Sequence, residues 1–344
     1  AIPEDLLEEI ARLYGYNNIP ASLPSFSITP PQENSLRTLE HHIRGVLAHS
    51  FRATEVYNYS FVSPEWLLKI GVDDEEYLAL DNPVAKDRPL LRRSLIPNLL
   101  ENIEMNLHRF DSVKLFEIGR VFLGEENGEV AKHGAREYLP KQLNRLGIVY
   151  AAKGTETPFF DVSSAIGRLC DSLGIAVAFE KRDVAADTPF LHPGRFAHIV
   201  MNGVAVGKIG ELHPVTRERL GIAVPVAIAE LDISDAWLSG LGRASYAPVP
   251  SFPYVERDMA FLVDTEVPHA DVQKSLVSSH PLVRHVELFD VYEGQGIAHG
   301  KKSMAYHISY GASDRTLSSA EVDEAHAVLA KVLLKSFRAE VRKQ

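Results

Sequence analysis

Between Asp81 and Phe122, apolar residues recur at Leu91, Leu95, Leu99, Ile103 and Leu107, with Leu100 beside them, and this spacing predicts a helix. Pro97 falls inside the pattern and predicts a kink or a first turn. Beyond it, Val113, Leu115 and Glu117 alternate with Lys114, Phe116 and Ile118, which predicts a strand beginning at Val113. Arg92, Arg93 and the glutamates of these two elements read as solvated surface groups. Upstream, Leu6, Leu7, Ile10, Leu13 and Tyr14 predict an amphipathic helix over 2–14, with Pro3 in its first turn and Gly15 ending it. The proline-rich run from Asn17 to Asn34 carries no period and reads as a linker or an extended arm.

Further along, Ser35 is placed to cap a helix running to about Phe51, Glu55–Val62 is strand-like, and Pro64 opens a short helix. Strands follow at Tyr77–Leu80, Arg145–Tyr150 and Val177–Glu180, with a helix from about Asp161 to Leu173. Asn202-Gly203 is a two-residue hairpin signal within GRFAHIVMNGVAVGKIGEL. A short helix at Pro214–Leu220 and a buried strand at Val224–Ile233 complete an α+β pattern on a mostly antiparallel sheet. A boundary falls at Gly240–Pro250. Strands at 257–263, 283–292, 301–310 and 338–342 and helices at about 268–279 and 318–334 then give the order βαββαβ, the ferredoxin-like split motif. The open face of such a sheet is a place for a ligand, and single-stranded RNA stacking on exposed aromatics is one option.

Composition narrows the function classes. The 344 residues are 45% hydrophobic and 24% charged, an ordinary globular balance. No run reaches the roughly 20 apolar residues of a membrane helix, and AIPEDLLEEI is no signal peptide; these are the features of a soluble, cytoplasmic protein. The chain starts without an initiator methionine and reads as a piece of something longer. A single cysteine, Cys170, lies at helical spacing with Ile166 and Leu169 and reads as core. The net charge of −10 gives no global attraction to nucleic acid. Residues 248–344 are closer to neutral, with 11 Lys and Arg against 13 Asp and Glu, which permits RNA contact.

Asp5, Glu8 and Glu9 share one face of the first helix. They could bind a hard cation such as magnesium, or complement the helix N-terminus and face water; spacing alone favours the second. His192 and His213 with Glu211 lack metal-ligand spacing, and the glycines at 203, 207 and 210 sit in a hairpin rather than in a phosphate cradle.

Taken together and in order, DLLEEIARLYGYNNIP, LRRSLIPNLLENIEMNLHR with LFEIGRVF, HPGRFAHI with GKIGELHP, and FPYVERDMAFLV with SDRTLSSAEV resemble the C-terminal half of the beta subunits of bacterial phenylalanyl-tRNA synthetases. The resemblance implies the end of a B5 domain (1–19), a Pro-rich linker (20–34), a noncatalytic class II synthetase-like module (35–243) and a ferredoxin-fold anticodon-binding domain (248–344). Glu117 after Phe116 echoes the motif 2 strand, but no glycine-rich strand running into an arginine follows. Catalysis and ATP would therefore belong to the alpha subunit, which this chain would meet through the helix and strand of 81–122 in an α2β2 heterotetramer acting on tRNA(Phe). The family's editing and N-terminal tRNA-binding modules have no counterpart here. Its magnesium site, shared with alpha, has a local motif that Asp5, Glu8 and Glu9 match, while its first ligand would precede Ala1. DVSSAIG at Asp161 departs from the family and puts a local turn in doubt. For RNA contact the positions favour Arg257, Lys301, Lys302 and Arg315. The competing readings are a scaffold whose tail binds a metabolite or a protein, and a hydrolase using His192 or His213.

Overall fold

A strand with apolar side chains on both faces must be covered on both, and the strand expected at Val113 is of this kind. In the computed structural model, which describes residues 2–23, 25, 28–131, 138–181, 188–239 and 249–341, the chain divides into two compact units, Ala1–Ala244 and Ser245–Gln344. No helix among the described residues is long and apolar enough to cross a membrane.

In the first unit, the elements in chain order are α1 (Pro3–Tyr14), α2 (Ser35–His49), β1 (Thr54–Glu55), β2 (Phe61–Val62), α3 (Pro64–Ile70), β3 (Leu90–Leu91), α4 (Ile96–Asn106), β4 (Ser112–Val130) and β5 (Tyr138–Ala152). They continue as α5 (Pro158–Leu173), β6 (Val177–Glu180), β7 (Leu191–Met201), β8 (Val204–Leu212), α6 (Pro214–Arg219), β9 (Val226–Asp232) and α7 (Asp235–Ser239). Seven strands form one sheet in the order β1-β4-β5-β9-β8-β7-β6, antiparallel except for the β1–β4 pair. Phe116 and Ile118 of β4 face a core shared with α2 and α5. Val113, Leu115 and Val121 face a second core filled by α3 and α4. The alternation expected for this strand is the alternation found, and the sheet is the middle layer of a sandwich.

Several boundaries differ from the expectation. The helix begins at Ile96, because Leu90–Leu91 pair with Phe61–Val62 in a small sheet; Leu95 and Leu107 flank the helix as its caps. Pro97 occupies the first turn, where its missing N–H leaves no bond unmade. The strand expected over Glu55–Val62 is split, since Thr54–Glu55 joins β4 and Phe61–Val62 joins β3. Tyr77–Leu80 contributes only the bridge of Ala79 to Leu90. Asn34, not Ser35, caps α2, accepting from Arg37 N–H at 3.0 Å. DVSSAIG lies inside α5, so no turn forms there. The β7–β8 hairpin turns on Asn202 (φ 49°) and Gly203 (φ 83°) as expected, two consecutive positive φ values that suit Asn-Gly.

In the second unit, β10 (Val255–Asp264), α8 (His269–Ser279), β11 (Val283–Tyr292), β12 (Lys301–Tyr310), α9 (Ser319–Phe337) and β13 (Glu340–Val341) follow the expected βαββαβ order. The sheet order β11-β12-β10-β13 is that of a ferredoxin-like fold. Both helices pack on one face: Val272 and Leu276 of α8, and Val322, Leu329 and Leu333 of α9, share a core with Phe261 and Tyr306. Ser318 and Glu321 cap α9 reciprocally. Among the described residues of this unit, no helix covers the opposite face of the sheet.

Candidate functional site

Arg92 and Glu117, expected to be solvated, are both buried, at 3% and 1% exposure. The β2–β3 pairing draws Arg92 under the edge of β4, where its Nη1 donates to Glu117 Oε1 at 2.6 Å and its Nε to the Arg120 carbonyl at 2.8 Å. Gly119 makes this possible: a Cβ there would lie 2.3 Å from Arg92 Nη2. The second Glu117 oxygen accepts from Asn58 Nδ2 at 2.8 Å, and Asn58 Oδ1 accepts from Asn102 of α4 at 3.0 Å. The segment between β1 and β2 is thus pinned from inside by Asn58. Its flanking residues Tyr57 and Tyr59 point outward, 76% and 83% exposed. Met105 on α4 and Phe110 after it are exposed as well. Through Asn58, the buried ion pair is thus linked to a segment that presents two exposed tyrosines.

On the α3/α4 face of the large sheet, a cleft of about 640 Å³ is lined by Tyr77, Arg93, Arg145, Lys208, Glu230 and Asp232 among others. Its arginines are committed. Arg93 makes two bonds to Glu125 at 2.7 and 2.8 Å. Arg145 binds Asp232 at 2.6 Å and Glu230 at 3.0 Å, while Glu230 also accepts from Ser94 Oγ and the Leu95 N–H. Burial pushes the Tyr77 phenol up to about 12. Two guanidiniums already neutralised by carboxylates are poorly suited to stabilising phosphoryl charge.

The three carboxylates of α1 are partly engaged. Asp5 accepts from the Ile2 N–H at 2.9 Å, and Glu9 accepts from Arg12 Nη2 at 2.6 Å. Among the described residues no group of three His, Cys, Asp or Glu side chains is arranged to hold a metal ion, so Asp5, Glu8 and Glu9 do not by themselves fit magnesium. His192 and His213 lie 6.0 Å apart between ring centres. Each Nδ1 accepts a backbone N–H, from Gly194 at 3.0 Å and Val215 at 3.2 Å. In the neutral rings the proton then sits on Nε2, the atom that would have to offer a lone pair to a metal. Glu211 is taken by Arg195 at 2.6 Å.

In the second unit, the four basic residues favoured for RNA contact do not converge. By register Arg257 lies opposite Ile308 and Lys302 opposite Val263, on the helix-covered side of the sheet. Arg257 is 3.6 Å from Asp323 of α9, and Lys302 donates to the Thr265 carbonyl at 2.9 Å. Lys301 lies on the open side and pairs with Glu340, while Arg315, in the loop before α9, meets Glu321 at 2.7 Å. The open face itself carries a cluster the sequence reading did not single out. Phe289 stacks on His307 with ring centres 3.9 Å apart, and His307 Nδ1 is 2.6 Å from Asp258 Oδ1. Tyr292 lies on the same side by register, and Phe289 and Tyr292 are 49% and 46% exposed. Glu256, Glu287 and Asp290 lie on the same side by register. This surface offers aromatic faces and hydrogen-bond acceptors more than cations.

Beneath it, each helix is tied to β12 by a histidine and a tyrosine: His269 Nδ1 to Tyr306 Oη, and His326 Nδ1 to Tyr310 Oη, both at 2.9 Å. Desolvation holds both imidazoles below their ordinary pKa of 6.5, aided by Lys302 at His269 and by Arg257 at His326, with Asp323 opposing. The unfolded chain therefore binds these protons first. The stability that the two pairs contribute is complete above about pH 6.5 and falls as the pH drops from there toward the depressed folded values. Amide exchange of peptides covering α8 and α9 is expected to accelerate between pH 7.5 and 5.5, after correction for intrinsic rates, and His326→Gln to reduce the change. Equal protection at both pH values would refute this.

The comparisons with known proteins follow the same two units. The model of the phenylalanyl tRNA synthetase beta chain CLM domain matches residues 19–233, and that of the ferredoxin-fold anticodon binding domain matches 250–342. The phenylalanine–tRNA ligase beta subunit of Bacillus cereus (strain ATCC 14579) is 34% identical over 99% of this chain and 42% of its own length. That of Syntrophotalea carbinolica is 33% identical over 98% and 42%, and that of Bacillus subtilis 32% over 99% and 42%. The chain thus spans less than half the length of these relatives. A solved pyrrolysyl tRNA synthetase from Desulfitobacterium hafniense overlays on 67% of the chain and 72% of its own, with 16% identity and a TM-score of 0.44, too distant to support an argument. With both domain models matched in order and full-chain identity above 30%, this chain belongs to the phenylalanyl-tRNA synthetase beta subunit family.

Proposed function

We propose that this chain is the C-terminal part of the noncatalytic beta subunit of a cytoplasmic phenylalanyl-tRNA synthetase, supporting the alpha-subunit active site in an α2β2 heterotetramer. In this reading it binds the anticodon region of tRNA(Phe) while the alpha subunit attaches phenylalanine at the expense of ATP. The observation that supports it most is the order of the two family-model matches, a synthetase-like module followed by an anticodon-binding domain. The saturated arginines of the large cleft favour a supporting role for the first unit, with ATP bound by alpha. Its proposed docking surface on alpha is the segment pinned by Asn58, with Tyr57 and Tyr59 as anchors, together with Met105 and Phe110; exposed tyrosines on a rigid base are suited to interfaces. In the second unit, unpaired bases would stack on Phe289, His307 and Tyr292 of the open sheet face. Arg257, Lys301, Lys302 and Arg315 would then contribute at its edges, each having to leave a protein partner. Magnesium at Asp5, Glu8 and Glu9 requires a donor from outside these three. The division into B5 end, linker, synthetase-like module and anticodon domain belongs to the same proposal.

The test mixes this chain with a separately prepared alpha subunit and assays complex formation and tRNA(Phe) charging, with each protein alone as control. A stable complex with alpha, and no charging by this chain alone, is the expected result. Charging by this chain alone would overturn the noncatalytic assignment, and no complex at high protein concentration would count against the subunit reading.

A further inference from the structure

In the second unit the favoured basic side chains are engaged with protein acceptors, so a contact to RNA phosphate is better sought among cations without such partners. The first unit supplies them. A cleft of about 550 Å³ beside the start of α2 is lined by Asn34, Arg37, Glu40, His41 and Arg44, and by Arg120 of β4. Arg44 is neutralised by Glu55 at 2.7 Å and Glu40 at 3.4 Å. Among the described residues Glu40 is the one carboxylate lining the cleft, and it is taken by that arginine. Arg37 has no side-chain partner among the described residues, and Arg120 Nη1 donates only to the neutral Gln142, at 3.3 Å. In a chain of net charge −10, this is a local reversal of sign.

We propose that this cleft is a phosphodiester site in which Arg37 and Arg120 hold a backbone phosphate of bound RNA. The planar guanidinium fork matches two phosphate oxygens, and each such contact releases counterions from the nucleic acid. Two arginines from different elements border one concavity roomy enough for a stretch of nucleic-acid backbone, and a guanidinium fork suits the oxygens of a phosphate. The ligand's identity rests on the RNA-binding reading above; the site itself rests on the charge and shape of the cleft.

The experiment titrates tRNA(Phe) onto the full chain between about 50 and 200 mM salt, using the wild type, R37Q/R120Q and F289A/Y292A, with inorganic tripolyphosphate as a second probe. Losing two phosphate contacts is expected to flatten the slope of log affinity against log salt by about 1.4–1.8 in R37Q/R120Q, with F289A/Y292A keeping the wild-type slope. Tripolyphosphate binding is expected to weaken in R37Q/R120Q alone. An unchanged slope in R37Q/R120Q, with binding weakened in F289A/Y292A, overturns the phosphodiester site and leaves the RNA reading standing. Loss of tripolyphosphate binding with no effect on tRNA assigns the cleft to a free phosphate compound and overturns the RNA-backbone assignment. Loss of alpha-subunit binding by R37Q/R120Q, measured by mixing each variant with separately prepared alpha, at an unchanged slope identifies an acidic protein surface and overturns it as well. No tRNA binding by the wild type rejects both the RNA reading and this one.

Discussion

Arg92→Ala is expected to destabilise the first unit by about 3–5 kcal/mol, the cost of leaving a buried charge without its partner. Glu117 is 1% exposed, and after the substitution only the Asn58 contacts would remain to it. The Arg120 carbonyl would lose its donor too. Both tryptophans, Trp66 and Trp237, lie in the first unit, so their fluorescence during urea unfolding follows this unit alone. A loss of under about 1 kcal/mol would place the pair in the range of solvated surface pairs and refute its burial. Replacing both partners with apolar residues, Arg92→Met with Glu117→Leu, is expected to recover much of the stability, because a well-packed apolar pair avoids the desolvation cost. It would still release Asn58 and with it the segment bearing Tyr57 and Tyr59. If that segment docks on the alpha subunit, the double variant folds yet binds alpha more weakly. The ion pair would then serve to position a surface as well as to stabilise the fold.

Phe289→Ala combined with Tyr292→Ala is expected to weaken tRNA(Phe) binding by about 1–3 kcal/mol for each stacked base lost, or roughly 5- to 150-fold per base. The two rings are half exposed on the open sheet face, so little core packing goes with them. Stacking carries no net charge, and the salt dependence of binding should stay as in the wild type. Substituting Lys301 or Arg315 with alanine is expected to change affinity much less, since each already faces a carboxylate and must exchange it for a phosphate. Filter binding or fluorescence anisotropy at fixed salt gives these ratios directly. Equal affinity for wild type and the F289A/Y292A variant would remove the open face from the RNA-binding surface.

Most of the helices and strands were legible because their signals are local. The period of Leu6, Leu7, Ile10 and Leu13 sets α1, the Asn202-Gly203 pair sets the β7–β8 turn, and turn signals between alternating runs set the βαββαβ order of the second unit. Family membership was legible for a similar reason, since its motifs are short runs read in order. The candidate sites were mostly not legible. Arg92 and Glu117 looked like surface groups because nothing near them in sequence says that Leu90–Leu91 will pair with Phe61–Val62 and carry the arginine inside. Phe289 reaches the open face of its sheet beside a register shift between Leu288 and Asp290, which simple alternation does not foresee. The basic residues of the last unit were visible, but their carboxylate partners are brought to them by distant strands and helices. Arg37 and Arg120 meet at one cleft only because α2 packs beside β4. Periodicities, turns and family motifs are carried by residues close together in the chain, and so can be read from it directly. Burial, charge pairing and the meeting of distant side chains were decided by the tertiary structure, because they depend on which remote backbone arrives beside each residue.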